Sequence, residues 1–149
     1  MKGRKIFVQE TLEILTIKSS SVLYLPLVGS DISAGFPSPA DDHLDIAIDL
    51  NQELIKHKDA TFYGRVKGDS MQDAGIHHGD LLIIDKSLEP KSGKIAVCFI
   101  DGEFTVKRIQ IKKDVIWLIA ENKNYKPIKV TKNNDFLIWG IVINVIKYV

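Results

Sequence analysis

Asp101-Gly102 sits between two runs rich in β-branched and aromatic residues, Lys94–Ile100 and Glu103–Ile111, and constrains the fold more than any other feature. A tight two-residue type I′ loop needs positive φ at both positions, which Asp-Gly accommodates. With those residues as the loop, Ile100 faces Glu103, Cys98 faces Thr105 and Ala96 faces Lys107. Side chains alternate along a strand, so one face collects Ala96, Cys98, Ile100, Thr105, Lys107 and Ile109. The other holds Ile95, Val97, Phe99, Phe104 and Val106 and reads as the better core. Lys107 thus falls among small and apolar neighbours, with no charge on its own face nearer than Glu103. That is an odd place for a lysine.

Similar short runs recur through the second half of the chain. Strands are predicted at Thr61–Lys67, Leu81–Asp85, Val115–Ala120, Ile128–Val130 and Asp135–Lys147. Turn signals separate them: Gly79-Asp80, Glu89-Pro90, Ser92-Gly93 and Asn122 to Pro127. Asp49 is placed to cap a short helix over Leu50–His57, with Leu50, Leu54 and Ile55 on its apolar side. Ser70–Ala74 reads as a single helical turn stopped by Gly75. Many short strands with frequent turns predict a mainly β sandwich or open barrel, and 149 residues suit one domain.

Ahead of this body lie two other zones. Residues up to about Ser33 carry apolar patches (Ile6–Val8, Leu12–Ile17, Val22–Val28) without a sustained period, enough for one or two strands or an arm. Gly29 to Asp42 collects glycine, serine, Pro37 and Pro39, an exposed, extended segment open to a protease. Charge narrows the function: the net charge is +1, with four basic and three acidic groups through residue 34 and sixteen of each thereafter. DNA binding through phosphates normally brings a basic excess, and none is present. The apolar run Phe136–Ile146 is too short to span a membrane, and Gln9, Glu10 and Glu13 break the stretch that would follow a signal-peptide start. A single cysteine, Cys98, forms no internal disulfide and favours a reducing compartment, so a cytoplasmic location is expected.

One constellation can do chemistry. Gly68-Asp69-Ser70-Met71 follows a strand and opens a turn, where Ser70 can present its hydroxyl and nearby backbone N–H groups can stabilise an oxyanion. A serine needs a base. His43, His57, His77 and His78 stand in no triad spacing, and His77-His78 reads as a turn. A lysine serves if an apolar setting makes it neutral, and Lys107 has that setting. Arg108 does not deprotonate. Bland readings stand beside these: Gly-Asp-Ser is usually a capped turn, and a strand lysine usually snorkels to water. The histidines carry no metal-ligand pattern, so no metal and no cofactor is expected. Asp41, Asp42 and Asp45 read as a solvated acidic patch, Trp117 and Trp139 as core or interface aromatics, and Cys98 as a buried hydrophobe.

Five stretches together resemble a known family. They are Gly35-Phe36-Pro37-Ser38-Pro39-Ala40, Ile48-Asp49-Leu50-Asn51-Gln52, Gly68-Asp69-Ser70-Met71, Gly79-Asp80-Leu81-Leu82-Ile83 and Asp101-Gly102-Glu103-Phe104-Thr105-Val106-Lys107. In order and approximate spacing, over about residues 33–147, the chain resembles the UmuD-type SOS mutagenesis proteins of the LexA-type self-cleaving serine peptidases. The resemblance implies a LexA/UmuD-like catalytic domain of short, strongly bent antiparallel sheets, with one or two short helices and an N-terminal arm. It implies Ser70 as nucleophile, Lys107 as general base, turn or oxyanion support from Gly68, Asp69 and Met71, and a scissile bond between Ala34 and Gly35. Residues 1–34 would then be the released arm, 35–43 an extended linker and 44–149 the peptidase domain. A RecA filament on single-stranded DNA would stimulate the cut. The processed homodimer would join a UmuC-type error-prone polymerase subunit in translesion synthesis. The segment before Ala34 departs from the family pattern and is several residues longer than its arms.

Three alternatives stand beside this reading. A LexA-like repressor, or a fragment of one, needs a helix-turn-helix ahead of the cut, and residues 1–34 lack helical periodicity and basic excess. A non-catalytic binding module of the same fold would not need both Ser70 and Lys107. A membrane-anchored Ser-Lys protease would need an anchor that is not found in the sequence.

Overall fold

The computed structural model describes residues 5–8, 12–16, 25–28 and 44–149. Its strands begin with β1 (Lys5–Val8), β2 (Leu12–Thr16), β3 (Leu25–Val28) and β4 (Leu44–Ile48). A short helix, α1 (Leu50–Leu54), and a 3-10 turn at Lys58–Ala60 follow. Next come β5 (Thr61–Val66), a 3-10 turn at Gln72–Ala74, β6 (Leu81–Asp85), β7 (Ile95–Ile100) and β8 (Glu103–Lys112). The chain closes with β9 (Val115–Ile119), β10 (Ile128–Lys129) and β11 (Phe136–Ile146). The apolar patches before residue 34 supply three strands, where the sequence suggested one or two.

Two compact units divide these elements. The smaller holds the antiparallel pair β3-β4 and α1. Asp49 caps α1 as expected, its side chain accepting from Asn51 N at 3.2 Å, but the helix ends at Leu54 and buries none of its residues. Leu50, assigned to its apolar side, is 57% exposed.

The larger unit is a nine-stranded sheet in the order β1-β2-β5-β6-β11-β7-β8-β9-β10. Each neighbouring pair is antiparallel. The mainly β expectation therefore holds. β11 serves both halves, pairing β7 through Phe136–Ile141 and β6 through Ile141–Ile146. Register shifts between Ile138 and Gly140 and between Val142 and Asn144 interrupt its ladders, the places where a bulge bends a strand.

The β7-β8 hairpin has the register its loop dictates, with Cys98 opposite Thr105 and Ala96 opposite Lys107. Asp101 and Gly102 take φ of 49° and 89°, both in the left-handed region that a type I′ loop needs. One expectation changes. The face with Val97 and Val106 does pack into a core with Leu12, Ile14, Val66, Met71 and Ile84. The opposite face is buried too: Ala96 and Cys98 join Ile109, Leu118 and Ile141 in a second core. Small residues at Ala96 and Cys98 mark close packing there, and Lys107 emerges beside it.

Ile84 shows how tightly the sheet centre is filled. It is fully buried and pairs with Phe62 on β5 and Val142 on β11. A methyl group added at Gly140 would lie 2.6 Å from Ile84 Cγ2, and one at Gly64 would lie 2.8 Å from Ile84 Cδ1. Trp139, beside Gly140, packs its ring 5.1 Å from Phe62 and 5.7 Å from Phe104. Gly140→Ala is therefore expected to destabilise the protein by about 1–3 kcal/mol through overpacking. A denaturant titration tests this; an unchanged midpoint would mean that the glycine is not needed for room.

Candidate active site

β5 ends at Val66 and hands the chain to a turn through Gly68, whose φ of +93° favours glycine. Ser70 lies in that turn, just before the 3-10 helix Gln72–Ala74, so the expected Ser70–Ala74 helical turn begins two residues later. Gly75 ends it with φ of 80°, its N–H donating to Gln72 O. Met71, 2% exposed, anchors the turn in the first core, and its carbonyl accepts from Ala74 N and Ile76 N.

β8 brings Lys107 to this turn. Lys107 Nζ lies 3.0 Å from Ser70 Oγ, 2.7 Å from Thr105 Oγ1 and 3.1 Å from Val106 O. The residue is only 7% exposed. Its three partners are neutral oxygens, so an ammonium there would be hydrogen-bonded but without a counter-charge. Burial accordingly holds the amine below its ordinary 10.5, the Cys98 thiol acting weakly the other way. Cys98 itself is fully buried, and burial pushes its thiol up to about 12, which leaves it an inert core residue.

Proton counting makes the triad of oxygens informative. A neutral amine has two N–H groups and one lone pair. Val106 O can only accept and takes one N–H, so the second N–H and the lone pair are shared between the Thr105 and Ser70 hydroxyls; Thr105 Oγ1 can take that N–H. In that arrangement the lone pair can accept the Ser70 hydroxyl proton. Thr105 was not singled out from the sequence as a site residue. The signal was there, because it stands two residues before Lys107 on the same face of the strand.

Bonds from the 121–125 turn hold the Gly68–Met71 turn from another direction. Tyr125 Oη donates to Asp69 Oδ1 at 2.6 Å, Asn122 Nδ2 to Asp69 O at 2.9 Å and Asp73 N to Glu121 O at 2.8 Å. The Asp69 hydrogen bond and charge keep the proton on Tyr125 and raise its pKa. Gly68 N donates to His78 Nδ1 at 3.2 Å. A narrow cleft between Val66–Gly68 and Thr105–Val106 opens onto Ser70.

Gly68, Asp69, Ser70, Met71 and Lys107 thus come together. Ala34, Gly35 and the linker 35–43 lie outside the described residues, as do Asp41, Asp42 and His43. His57 and His77 are engaged elsewhere. His57 Nδ1 meets the buried Asp85 at 2.6 Å, and His77 Nδ1 meets Lys147 Nζ at 3.0 Å. Burial would raise the Asp85 carboxyl, but bonds from Ser87 and His57 hold it below its ordinary value. Among the described residues no cluster of His, Cys, Asp and Glu can hold a metal, and no helix is long and apolar enough to cross a membrane.

A family model described as Peptidase S24-like matches residues 26–143, which include Ser70 and Lys107. The chain belongs to the Peptidase S24-like family. Within reach of that match, Protein SamA of Salmonella typhimurium is 46% identical over 93 residues, 62% of this chain and 66% of SamA. Protein MucA of Escherichia coli is 38% identical over 125 residues, 83% of this chain and 85% of MucA. The LexA repressor of Shewanella oneidensis is 40% identical over 124 residues, 83% of this chain but 59% of the repressor. The chain therefore spans about two thirds of SamA and less of the LexA repressor. The S24-like match and the Ser70–Lys107 contact fall on the same stretch of this chain.

A buried amine without a counter-charge should cost stability. Lys107→Met, made in a Ser70→Ala background, is expected to raise stability by about 1 kcal/mol near pH 7. The unfolded chain binds the lysine proton more tightly than the folded one. Stability of the lysine form therefore rises with pH between its lowered folded pKa and 10.5, and the advantage of methionine shrinks there. Denaturant titrations near neutral pH and near pH 10 compare the two; an equal difference at both would contradict a depressed lysine.

Proposed function

We propose that this chain is a serine peptidase that cuts its own Ala34–Gly35 bond, with Ser70 as nucleophile and Lys107 as general base. The reading rests on one observation, the 3.0 Å contact between Ser70 Oγ and the amine of a lysine only 7% exposed. Neutral Lys107 takes the Ser70 proton as Oγ attacks the Ala34 carbonyl carbon. Backbone N–H groups of the Gly68–Met71 turn receive the negative charge on the carbonyl oxygen. Collapse breaks the C–N bond, and the Lys107 ammonium returns its proton to the Gly35 nitrogen as that amine leaves. Water, activated by the same amine, then hydrolyses the Ala34 ester on Ser70. A small residue at 34 and none at 35 let the backbone approach the cleft, and Pro37 and Pro39 restrict the segment behind the bond.

The sequence resemblance, together with similarity to SamA and MucA, supports a finer role. A RecA filament on single-stranded DNA stimulates the cut in the cytoplasm. The shortened homodimer then serves a UmuC-type error-prone polymerase as an accessory subunit. Similarity to a LexA repressor favours a second reading, a repressor inactivated by the same cleavage. The two share the chemistry and differ in whether the uncut chain holds an operator or the cut chain holds a polymerase subunit.

Raising the pH of purified protein is expected to release residues 1–34, with a rate that climbs until Lys107 is neutral and then levels. Intact mass identifies the bond. Ser70→Ala should abolish the reaction, and Lys107→Arg should not support it, because a guanidinium stays protonated. Gly35→Val should block the cut while circular dichroism stays unchanged, whereas Ala34→Cys should remain cleavable. A cut elsewhere, or wild-type rate in Lys107→Arg, would contradict the mechanism.

A further inference from the structure

The bonds between the 121–125 turn and the nucleophile turn have a directional consequence. Asn122 is 4% exposed, and its amide makes two bonds: Nδ2 donates to Asp69 O at 2.9 Å, and Oδ1 accepts from Asn124 N at 3.0 Å. Only one orientation of the amide serves both, since a carbonyl can only accept and a backbone N–H can only donate. The 121–125 turn is itself closed by Tyr125 N donating to Asn122 O at 3.0 Å, so the amide is presented from a fixed base.

Asp69 O and Ser70 N–H belong to one peptide unit. That unit is planar and trans, so the carbonyl and the N–H point in opposite directions. Whatever holds the carbonyl also aims the N–H. The intrinsic holder, Gln72 N to Asp69 O, is long at 3.2 Å. Among the described residues Ser70 N–H has no backbone acceptor, which leaves it available to a ligand. We infer that Asn122 is a positioning residue: by gripping Asp69 O it aims Ser70 N–H at the oxygen that becomes negative during cleavage. The inference rests on the peptidase reading above and adds a residue to it. Hydrogen bonds weaken steeply as they bend, so a small rotation of this plane spoils the donor. Removing such a donor altogether costs about 10²–10³ in rate, so mis-aiming it predicts a loss of about 10- to 100-fold.

The experiment follows self-cleavage of the full chain across a pH series in wild type, Ser70→Ala, Asn122→Ala and Asn122→Asp. Asn122→Asp keeps the size and the bond from Asn124 N but cannot donate to Asp69 O once ionised. Both Asn122 variants are expected to cleave about 10- to 100-fold more slowly at the plateau. Asn122→Ala, which adds no charge, should keep the wild-type pH midpoint, because the Ser70–Lys107 contact is untouched. A merely structural role would disturb that contact and move the midpoint. Wild-type plateau rate in either variant overturns the inference, as does a shifted midpoint in Asn122→Ala. If Asn122→Ala loses its fold by circular dichroism, the plateau of Asn122→Asp decides; loss of fold in both makes Asn122 a folding residue and also overturns it. A wild type as inert as Ser70→Ala would instead remove the peptidase reading, and this inference with it.

Discussion

Lys107 carries an amine that is largely removed from water and given three oxygens but no carboxylate. Burying a charge without a counter-charge is costly, and the amine responds by favouring its neutral form. The rest of the larger unit can be understood as what makes this position tolerable. β8 is held in register by its hairpin with β7, and the face that carries Lys107 is packed with Ala96, Cys98, Ile109 and Leu118. The Val106 carbonyl and the Thr105 hydroxyl satisfy the amine without adding charge. The sheet supplies the stability that the site gives up.

How much of this was legible depended on distance along the chain. The Asp101-Gly102 loop fixes a register over a few residues, so the isolation of Lys107 could be read directly from alternation. Its partner could not. Ser70 stands 37 positions earlier, and no periodicity says which turn packs over which strand. Chemistry offered Lys107 as a base for Ser70, and the match of several motifs to a family made the pairing specific. Thr105 was in plain view as a same-face neighbour, but a threonine opposite a cysteine reads as ordinary strand filling. Asn122 and Tyr125 were hidden by their setting, because Asn122 to Pro127 is also what an ordinary turn looks like.

The cores show a different limit. Alternation separates two faces but does not reveal that both are covered, and the small residues Ala96 and Cys98 looked weaker than the Val97 and Val106 side while being fully buried. At α1 the local signal worked and the packing signal failed. The Asp49 cap formed, because it depends on one side chain and one N–H, whereas burial of Leu50 depends on what lies opposite.

The turn that holds Ser70 is tied down from several sides. Met71 ties the turn to the first core, Gly75 closes it, and the 121–125 turn grips Asp69 and Asp73. Electrostatic stabilisation works best when donors are fixed before charge develops, and the proposed mechanism would draw on these bonds for that. The most direct test of the account is the ionisation of Lys107 itself. A carbon-detected NMR titration of the Lys107 side chain in Ser70→Ala, which removes the proposed nucleophile, should place Lys107 below its ordinary 10.5. A Lys107 that titrates at or above 10.5 would contradict the proposal that this residue acts as a neutral base.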